Sequence, residues 1–322
     1  MTPLAVSMGD PAGIGPEIIG KAWALRHEAG LPLFVAVGDP AAFAGPVERV
    51  ERCADAAAVF DRALPVLAVA DSGAVRPGVP DEAGARAAWQ ALEVATALVR
   101  DGAACGLVTG PVGKAQLYAV GYGWPGQTEF VAERCGVATA DAVMMLAGPT
   151  LKVVPLTTHV PLADVPRLLT AALIVRKARV VAADLTRLFG IARPRLAVAG
   201  LNPHAGESGT IGREEIEAML PACAALRTEG IEIGDPQAAD TLFHPRARAR
   251  YDAVLCPYHD QALIPLKTLH FDEGVNVTLG LPIVRTSPDH GTAFGIAGQG
   301  LAEPGATVAA IRLAGEMAAR LA

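Results

Sequence analysis

The sequence predicts a protein of the α/β class, with a parallel or mixed sheet covered by helices. Short apolar segments of strand length alternate with amphipathic segments of helix length along the 322 residues. Hydrophobic residues make up 52% of the chain, which is enough for a large core. Because the chain is about twice as long as a usual domain, we expect two domains, or one large domain with a cleft.

The alternation is clear in the first part of the chain. The apolar residues Leu4 to Met8 predict a first strand, and Pro16 predicts the start of a helix over Glu17 to Ala29. The most regular amphipathic pattern predicts a helix over Asp81 to Arg100. Further strands are predicted at Leu33 to Gly38, Leu64 to Ala70 and Cys105 to Thr109.

The same alternation continues in the second half. Two long helical regions are predicted, Leu162 to Phe189 and Arg213 to Glu229. The strands around them are predicted at Val153 to Thr157, Arg195 to Gly200 and Ala253 to Pro257. Composition marks no linker, so it does not indicate where one domain ends.

Composition argues against several classes of protein. A net charge of -6 without a basic block gives no electrostatic footprint for nucleic acid. No apolar run reaches the roughly 18 residues of a membrane span, and the N-terminus carries no export signal, so we expect a cytoplasmic protein. The five cysteines are scattered and odd in number, which argues against a disulfide framework or a zinc knuckle.

Three histidines share one sequence context. His159, His204 and His259 each follow an apolar, strand-like run and open a loop rich in proline, glycine or small polar residues. Parallel α/β proteins assemble active sites in such loops. Neutral imidazole is a common ligand of divalent metals, and three ring nitrogens leave a coordination position open for substrate. We therefore expect a metal site, although a single histidine in this context is more often only hydrogen-bonded locally.

Two glycine-rich turns follow predicted strands. Residues 9–17 (GDPAGIGPE) could face an anion with exposed backbone N–H groups, but they lack the Gly-x-Gly-x-x-Gly spacing of a Rossmann site. Residues 108–114 (VTGPVGK) lack the Walker spacing, and a tight turn is an equally good interpretation.

A second polar group lies downstream of His259. Lys267, Asn276 and Arg285 combine two cations with an amide, which suits a substrate carrying phosphate or carboxylate. Arg285 ends the apolar run Val275 to Val284, so we expect it at a strand end. Surface cations are the alternative interpretation.

Seven segments spread over the whole chain form one recognisable set. They are Gly-Asp-Pro-Ala-Gly-Ile-Gly-Pro-Glu (9–17), Thr-Gly-Pro-Val-Gly-Lys (109–114), Thr-Thr-His-Val-Pro-Leu (157–162), Leu-Asn-Pro-His-Ala-Gly-Glu (201–207), Ala-Asp-Thr (239–241), Tyr-His-Asp-Gln (258–261) and His-Gly-Thr-Ala (290–293). With these segments the chain resembles the 4-hydroxythreonine-4-phosphate dehydrogenase family of pyridoxal phosphate biosynthesis. The resemblance runs essentially from end to end.

The resemblance implies a two-domain α/β/α fold similar to isocitrate and isopropylmalate dehydrogenases, with a cleft between the domains. One domain would join residues 1–110 and 265–322 and carry the cofactor loop. The other, residues 111–264, would carry the metal ligands and the contacts of a homodimer whose active site lies at the interface. The implied cofactor is NAD, with NADP possible, bound without a Rossmann motif.

The resemblance also implies roles for individual residues. One divalent ion, which could be zinc, magnesium, manganese or cobalt, would be bound by His159, His204 and His259. The substrate would contact Gln127, Thr128, Lys267, Asn276 and Arg285. The cofactor would lie against His290, Gly291, Thr292 and Gly295. Either Asp240, which matches a cleft carboxylate, or Lys267 would assist proton transfer.

The implied reaction fits these residue types. The C3 hydroxyl of 4-phosphohydroxy-L-threonine, chelated to a divalent ion, would lose its proton as hydride passes to nicotinamide. The resulting ketone lies β to the carboxylate and would accept the electrons released with carbon dioxide, which gives 3-amino-1-hydroxyacetone phosphate.

The chain departs from the family pattern at two positions. Gln127 stands where the family usually has histidine, so the side chain can still donate a hydrogen bond but cannot titrate. Gly295 stands where the family usually has aspartate, which by analogy would hold the adenosine ribose and repel a 2'-phosphate. We therefore expect a weakened preference for NAD over NADP.

Three other functions stay open. Relatives within the superfamily oxidise 4-phosphothreonate or a cyclic dihydrodiol dicarboxylate, and Gln127 allows such a shift, although the other retained substrate contacts favour the phosphorylated threonine. A metal-dependent hydrolase would need a general base near the metal and would not need residues 290–298. A non-catalytic binding protein would show no metal-dependent turnover.

Overall fold

The structure is a computed structural model that describes residues 2–322. Its strands are, in chain order, β1 (Leu4–Ser7), β2 (Phe34–Gly38), β3 (Val47–Val50), β4 (Leu64–Ala68), β5 (Leu107–Thr109), β6 (Val143–Gly148), β7 (Leu151–Pro155), β8 (Arg195–Ala199), β9 (Glu232–Gln237), β10 (Ala253–Cys256), β11 (Val275–Leu279) and β12 (Arg285–Pro288). The helices are α1 (Gly15–Ala24), α2 (Ala56–Val59), α3 (Glu82–Arg100), α4 (Lys114–Ala119), α5 (Gln127–Arg134), α6 (Val165–Leu168), α7 (Ala171–Phe189), α8 (Leu220–Thr228), α9 (Pro245–Arg248), α10 (His259–His270) and α11 (Gly305–Leu321). The predicted α/β class is confirmed.

The chain forms two compact units. The first contains the chain up to Thr139 together with Leu281–Ala322, and the second is the continuous stretch Ala140–Gly280. Both divisions lie later in the chain than the expected boundaries at 110/111 and 264/265. Helices α4 and α5 contact α3, which explains why they group with the first unit.

The sheet of the first unit is wholly parallel. Its strand order is β3-β4-β2-β1-β5-β12. Strands β1 and β2 are buried along their whole length, as expected for apolar strands covered on both faces. Because parallel strands end at the same edge, the loops that follow β1, β5 and β12 lie side by side.

The sheet of the second unit is mixed. Its order is β11-β6-β7-β10-β8-β9, with antiparallel pairs at β11–β6 and β6–β7 and parallel pairs from β7 to β9. Residues of β7, β8, β10 and α10 share one buried apolar cluster, which includes Val153, Ala197, Val254 and Leu266. The loops after β7, β10 and β8 therefore leave the sheet at one edge, in that order.

Two predicted helices differ in detail from the structure. The helical region 162–189 is broken before Thr170, whose hydroxyl caps α7 by accepting from the Leu173 amide. The helix predicted at 213–229 begins with a π-helical turn, Glu215–Met219, just before Pro221 of α8.

Arg285 lies at a strand end, but it begins a strand and does not close one that runs from Val275. The apolar run breaks at Gly280, whose φ of +82° belongs to the left-handed region and whose added Cβ would lie 2.0 Å from the Asp141 carbonyl oxygen. Strand β11 therefore stops at Leu279, and Arg285 begins β12.

The five cysteines are all free, and Cys53, Cys223 and Cys256 are buried. Along the described chain, no helix combines the length and the apolar character that crossing a membrane requires.

Candidate functional site

The three predicted histidines follow three neighbouring strands of the second unit. His159 follows β7, His259 follows β10 and His204 follows β8, and β10 pairs in parallel with both other strands. Each histidine thus lies beyond the carboxyl end of its strand, where α/β proteins bind ligands.

Two of these histidines are held close together. The Thr157 hydroxyl donates to the Pro257 carbonyl at 2.7 Å, and the Thr157 amide donates to the same oxygen at 3.1 Å. These bonds join the loops after β7 and β10, and the ring centroids of His159 and His259 lie 5.7 Å apart. A cavity of about 250 Å³ between them is lined by Thr157, His159, Val160, Leu162, Val165, Tyr258, His259 and Asp260.

Carboxylates orient two of the imidazole rings. His259 Nδ1 lies 2.7 Å from an oxygen of Asp260, and His204 Nδ1 lies 2.9 Å from an oxygen of Glu207. A carboxylate on Nδ1 fixes the proton there and leaves Nε2 as the ligand atom, an arrangement typical of metal-binding histidines. Both rings thus have the chemistry of a metal donor.

The loop that carries His204 has an unusual backbone. His204, Ala205, Glu207 and Ser208 all have positive φ, between 43° and 57°, a region that residues other than glycine rarely adopt. Within residues 2–322 no group of three or more His, Cys, Asp or Glu side chains is placed to hold a metal ion. The structure thus brings His159 and His259 together, and the three-histidine ligand set stays a prediction.

Two acidic residues that the sequence did not single out hold the start of this loop. The buried Glu215 accepts from the Asn202 amide at 2.8 Å and from Asn202 Nδ2 at 2.9 Å, and Glu214 accepts from Nδ2 at 2.7 Å. Because these carboxylates lie on the helical segment after the loop, hydrophobic periodicity could not distinguish them from solvent-facing residues.

Gln261 also lies outside the predicted set. Its Nε2 donates to the Gly200 carbonyl at 2.8 Å, which ties the first turn of α10 to the loop after β8. The motif Tyr-His-Asp-Gln is the only sequence signal that could have identified this residue.

Lys267, Asp240 and Asn276 also belong to the second unit. Lys267 lies two turns after His259 on α10, and both line a groove of about 470 Å³ along this helix. Asp240 is exposed in a short 3-10 segment after β9, the neighbour of β8. Asn276 lies on β11, and its buried Oδ1 has no hydrogen-bond partner within the described residues.

Arg285 is a deeply buried cation of the first unit, with 3% of its surface exposed. Its Nη2 lies 2.7 Å from Thr109 Oγ1, and its Nη1 lies 3.4 Å from Thr128 Oγ1. Burial lowers the pKa of Arg285 to about 10, and the negative charge of Glu129 opposes this shift. The guanidinium remains protonated near neutral pH and can bind a phosphate or carboxylate.

Gln127 lies at the first position of α5, immediately before Thr128. Its Nε2 donates to the Gly110 carbonyl at 3.1 Å, so it contacts the loop after β5. The buried Tyr122 donates its hydroxyl to the Gly126 carbonyl at 3.0 Å and fixes the residue before Gln127. No sequence signal pointed to Tyr122.

The predicted cofactor residues lie in the loop after β12. The Thr292 carbonyl accepts from the Ile14 amide at 3.0 Å, which joins this loop to the glycine-rich turn after β1. His290 Nδ1 lies 3.2 Å from the Gly291 carbonyl, and the buried His290 Nε2 has no partner among residues 2–322. Gly295 is exposed.

The glycine-rich turn at 9–17 packs closely and does not expose its amides as an anion site would require. Its N–H groups at Asp10, Ala12, Gly13 and Ile14 all donate to oxygens of the protein, at 2.8 to 3.0 Å. A Cβ on Gly9, where φ is +74°, would lie 2.4 Å from the Pro111 oxygen. The turn therefore packs two loops against each other, and the anion interpretation of these amides is wrong.

Comparisons with known proteins agree with this architecture. The family described as "Pyridoxal phosphate biosynthetic protein PdxA" matches residues 17–314. The 4-hydroxythreonine-4-phosphate dehydrogenase of Zymomonas mobilis subsp. mobilis is 57% identical over 322 residues, which cover 99% of this chain and 96% of that protein.

Two solved structures are also similar. The 4-hydroxythreonine-4-phosphate dehydrogenase from Klebsiella pneumoniae superposes with a TM-score of 0.87 at 37% identity, over 99% of this chain and 100% of that one. A terephthalate 1,2-cis-dihydrodiol dehydrogenase from Burkholderia xenovorans LB400 superposes with a TM-score of 0.66 at 31% identity, over 97% of each chain. The chain therefore belongs to the PdxA family of pyridoxal phosphate biosynthetic proteins.

Proposed function

We propose that the protein is a 4-hydroxythreonine-4-phosphate dehydrogenase of pyridoxal 5'-phosphate biosynthesis. It would oxidise 4-phosphohydroxy-L-threonine at C3 and release carbon dioxide to give 3-amino-1-hydroxyacetone phosphate. The observation that carries this proposal is the placement of three histidines beyond three neighbouring parallel strands, in a chain 57% identical to a relative of that name.

His159, His204 and His259 would hold one divalent ion. The 5.7 Å separation of the His159 and His259 rings and the carboxylates on Nδ1 of His204 and His259 fit such an ion. Zinc, magnesium, manganese and cobalt all remain candidates, and imidazole ligands favour the transition metals. When bound, the ion supplies Lewis-acid assistance and the oxidised nicotinamide supplies the hydride acceptor.

The remaining residues would bind and orient the reactants. Arg285 with Thr128 would bind an anionic oxygen, and Lys267 and Asn276 would contact the same substrate. Asp240 or Lys267 would accept the hydroxyl proton. NAD, or NADP, would lie against His290, Gly291, Thr292 and Gly295.

We further propose a cytoplasmic homodimer with its active sites at the interface. The apolar side chains beside the histidines support an interface, because Leu162 is 65% exposed next to the cavity at His159 and Ile264 is 63% exposed in the groove along α10. Large exposed apolar groups in contiguous patches mark association sites. A role in pyridoxal 5'-phosphate biosynthesis supports the proposed cytoplasmic location.

The test follows the absorbance of reduced nicotinamide with purified protein, a divalent metal and 4-phosphohydroxy-L-threonine. We expect turnover that depends on the metal and that is lost in His259→Ala. Metal-dependent hydrolysis without reduced nicotinamide would instead make the protein a hydrolase.

A second candidate substrate is a cyclic dihydrodiol dicarboxylate. The 31% identity to the terephthalate dihydrodiol dehydrogenase supports it, together with Gln127. The same assay with this diol and with 4-phosphothreonate ranks the three substrates by kcat/KM, and a higher value for either would replace the proposed reaction.

A further inference from the structure

Gln127 holds its side-chain amide in one orientation. Its Nε2 donates to the Gly110 carbonyl at 3.1 Å. The opposite orientation would place Oε1 against that carbonyl oxygen, and two acceptors repel each other. The amide oxygen therefore points away from Gly110.

The backbone under this side chain is equally well fixed. Tyr122 binds the Gly126 carbonyl and belongs to an aromatic cluster with Trp89, Trp124 and Phe130, whose neighbouring ring centroids lie 5.0 to 6.0 Å apart. A rotation of the first turn of α5 would disturb this cluster. Gln127 thus presents Oε1 from a rigid position.

Oε1 of Gln127 is buried and has no hydrogen-bond partner within residues 2–322. A buried acceptor without a donor loses its hydration and gains nothing in return. A ligand that brings an N–H or O–H group to this oxygen would recover that loss.

The neighbouring residues select the kind of ligand. Thr128 Oγ1 lies 3.4 Å from Arg285 Nη1, so a buried positive charge adjoins the residue after Gln127. An anionic group would bind Arg285 and Thr128, whereas an amide oxygen repels an anion. The ligand must therefore carry a hydrogen-bond donor beside an anionic group.

We infer that Gln127 Oε1 accepts a hydrogen bond from the C2 ammonium group of the substrate and so selects a phosphorylated amino acid over its deaminated counterpart. This inference rests on the proposed function. An ammonium group forms a stronger hydrogen bond than a neutral donor does. The Gln127 amide oxygen does not titrate, so it can accept this bond at every physiological pH. Gln127 is then a specificity-determining residue.

The test compares two substrates in two proteins. In Gln127→Met, kcat/KM for 4-phosphohydroxy-L-threonine should fall about 10- to 100-fold, while kcat/KM for 3-hydroxy-4-phosphooxybutanoate, which lacks the amine, should change less than about threefold. Gln90→Met, an exposed change on α3, is the control and should alter neither value. Equal losses for both substrates would overturn the inference, because they would indicate a purely structural role.

A second variant keeps the test independent of folding defects. In Gln127→His the ring would become a cation below about pH 6.5 and repel the ammonium. The ratio of variant to wild-type kcat/KM for the amino substrate should therefore fall as the pH is lowered through this value. A ratio that does not depend on pH would contradict ammonium recognition.

A failure of the proposed reaction can be told apart from a failure of the inference about Gln127. If neither substrate reduces NAD or NADP, the proposed reaction is wrong, and recognition is then measured as binding of the same two compounds by intrinsic tryptophan fluorescence. Preference of the wild type for the amine, lost in Gln127→Met, would still support the inference, and equal binding of both compounds would overturn it.

Discussion

The Arg285 guanidinium lies 2.7 Å from the Thr109 hydroxyl, so the first residue of β12 is anchored by the last residue of β5. These strands are neighbours in the parallel sheet. The anchor fixes a buried charge at the sheet edge where the loops after β1, β5 and β12 meet.

Arg285→Lys should raise KM for the phosphorylated substrate by about tenfold or more, with a smaller change in kcat. Lysine keeps the charge but cannot contact Thr109, Thr128 and an anion through one planar fork. Initial-rate kinetics measure this effect. The control is Arg312→Lys, an exposed residue that donates to the Ala29 carbonyl. Unchanged KM in Arg285→Lys would exclude substrate contact.

Asp260→Asn should weaken metal binding by about 10- to 100-fold, because the carboxylate on His259 Nδ1 orients the ring so that Nε2 can bind the metal. Metal titration followed by calorimetry measures this directly. Asp61→Asn is the matched control, since Asp61 lies 3.8 Å from His27 in an exposed pair of the other unit. A metal affinity equal to that of the wild type would show that Asp260 does not orient His259 for metal binding.

Gly295→Asp should increase the preference for NAD over NADP by about tenfold or more, through repulsion of the 2'-phosphate. The structure accommodates the change, because Gly295 has no positive φ and an added Cβ meets no atom within 4 Å. The ratio of kcat/KM for the two cofactors measures it. Gly123→Asp, at an equally open position, should leave the ratio unchanged. A wild type that already strongly favours NAD would contradict the prediction.

Lys177→Met should stabilise the protein at pH 7 by an amount on the order of 1 kcal/mol, since the amine is only partly buried. Burial lowers the pKa of Lys177 from 10.5 to about 8, and within residues 2–322 its Nζ donates only to the Pro155 carbonyl, at 3.3 Å. Below pH 8 the buried ammonium lowers the free energy of unfolding by the full amount. This destabilisation decreases as the pH rises from 8 towards 10.5, because the folded protein then holds the neutral amine. The difference in unfolding free energy between variant and wild type should therefore shrink over this interval. A difference independent of pH would refute this assignment.

Gly9→Ala should destabilise the protein by more than about 2 kcal/mol, because it combines a left-handed backbone with a clash at the Pro111 oxygen. Gly30→Ala separates the two causes. Gly30 also has a positive φ, of +59°, but its added Cβ meets nothing within 4 Å, so the expected loss is about 1 kcal/mol. Denaturant unfolding compares the two, and equal losses would show that the contact at Pro111 is unimportant.

Much of the fold could be predicted from periodicity. The predicted strands at 4–8, 33–38, 64–70, 105–109, 153–157, 195–200 and 253–257 each overlap a strand of the structure. Strands β3, β9 and β12 escaped prediction because charged, polar or proline residues interrupt their apolar pattern. Strand β6 is mostly apolar and was also not predicted. The break at Gly280 depends on a close approach of the Asp141 carbonyl, which no local pattern reveals.

The candidate site was predictable in its residue types and less so in its geometry. The position of His159, His204 and His259 after strands followed from local sequence, and the pairing of β10 with β7 and β8 explains why they share an edge. The left-handed backbone at His204 and the carboxylate of Glu215 under Asn202 depend on contacts made only after folding.

The second unit is one uninterrupted stretch, whereas the first draws β12 and α11 from the end of the chain. On the ribosome, Ala140–Gly280 can fold as soon as it emerges, while β5 must wait for its neighbour β12. Until then β5 presents an open strand edge, which is a site for wrong pairing. A nascent chain arrested before Leu281 would therefore depend on a chaperone to stay free of aggregation.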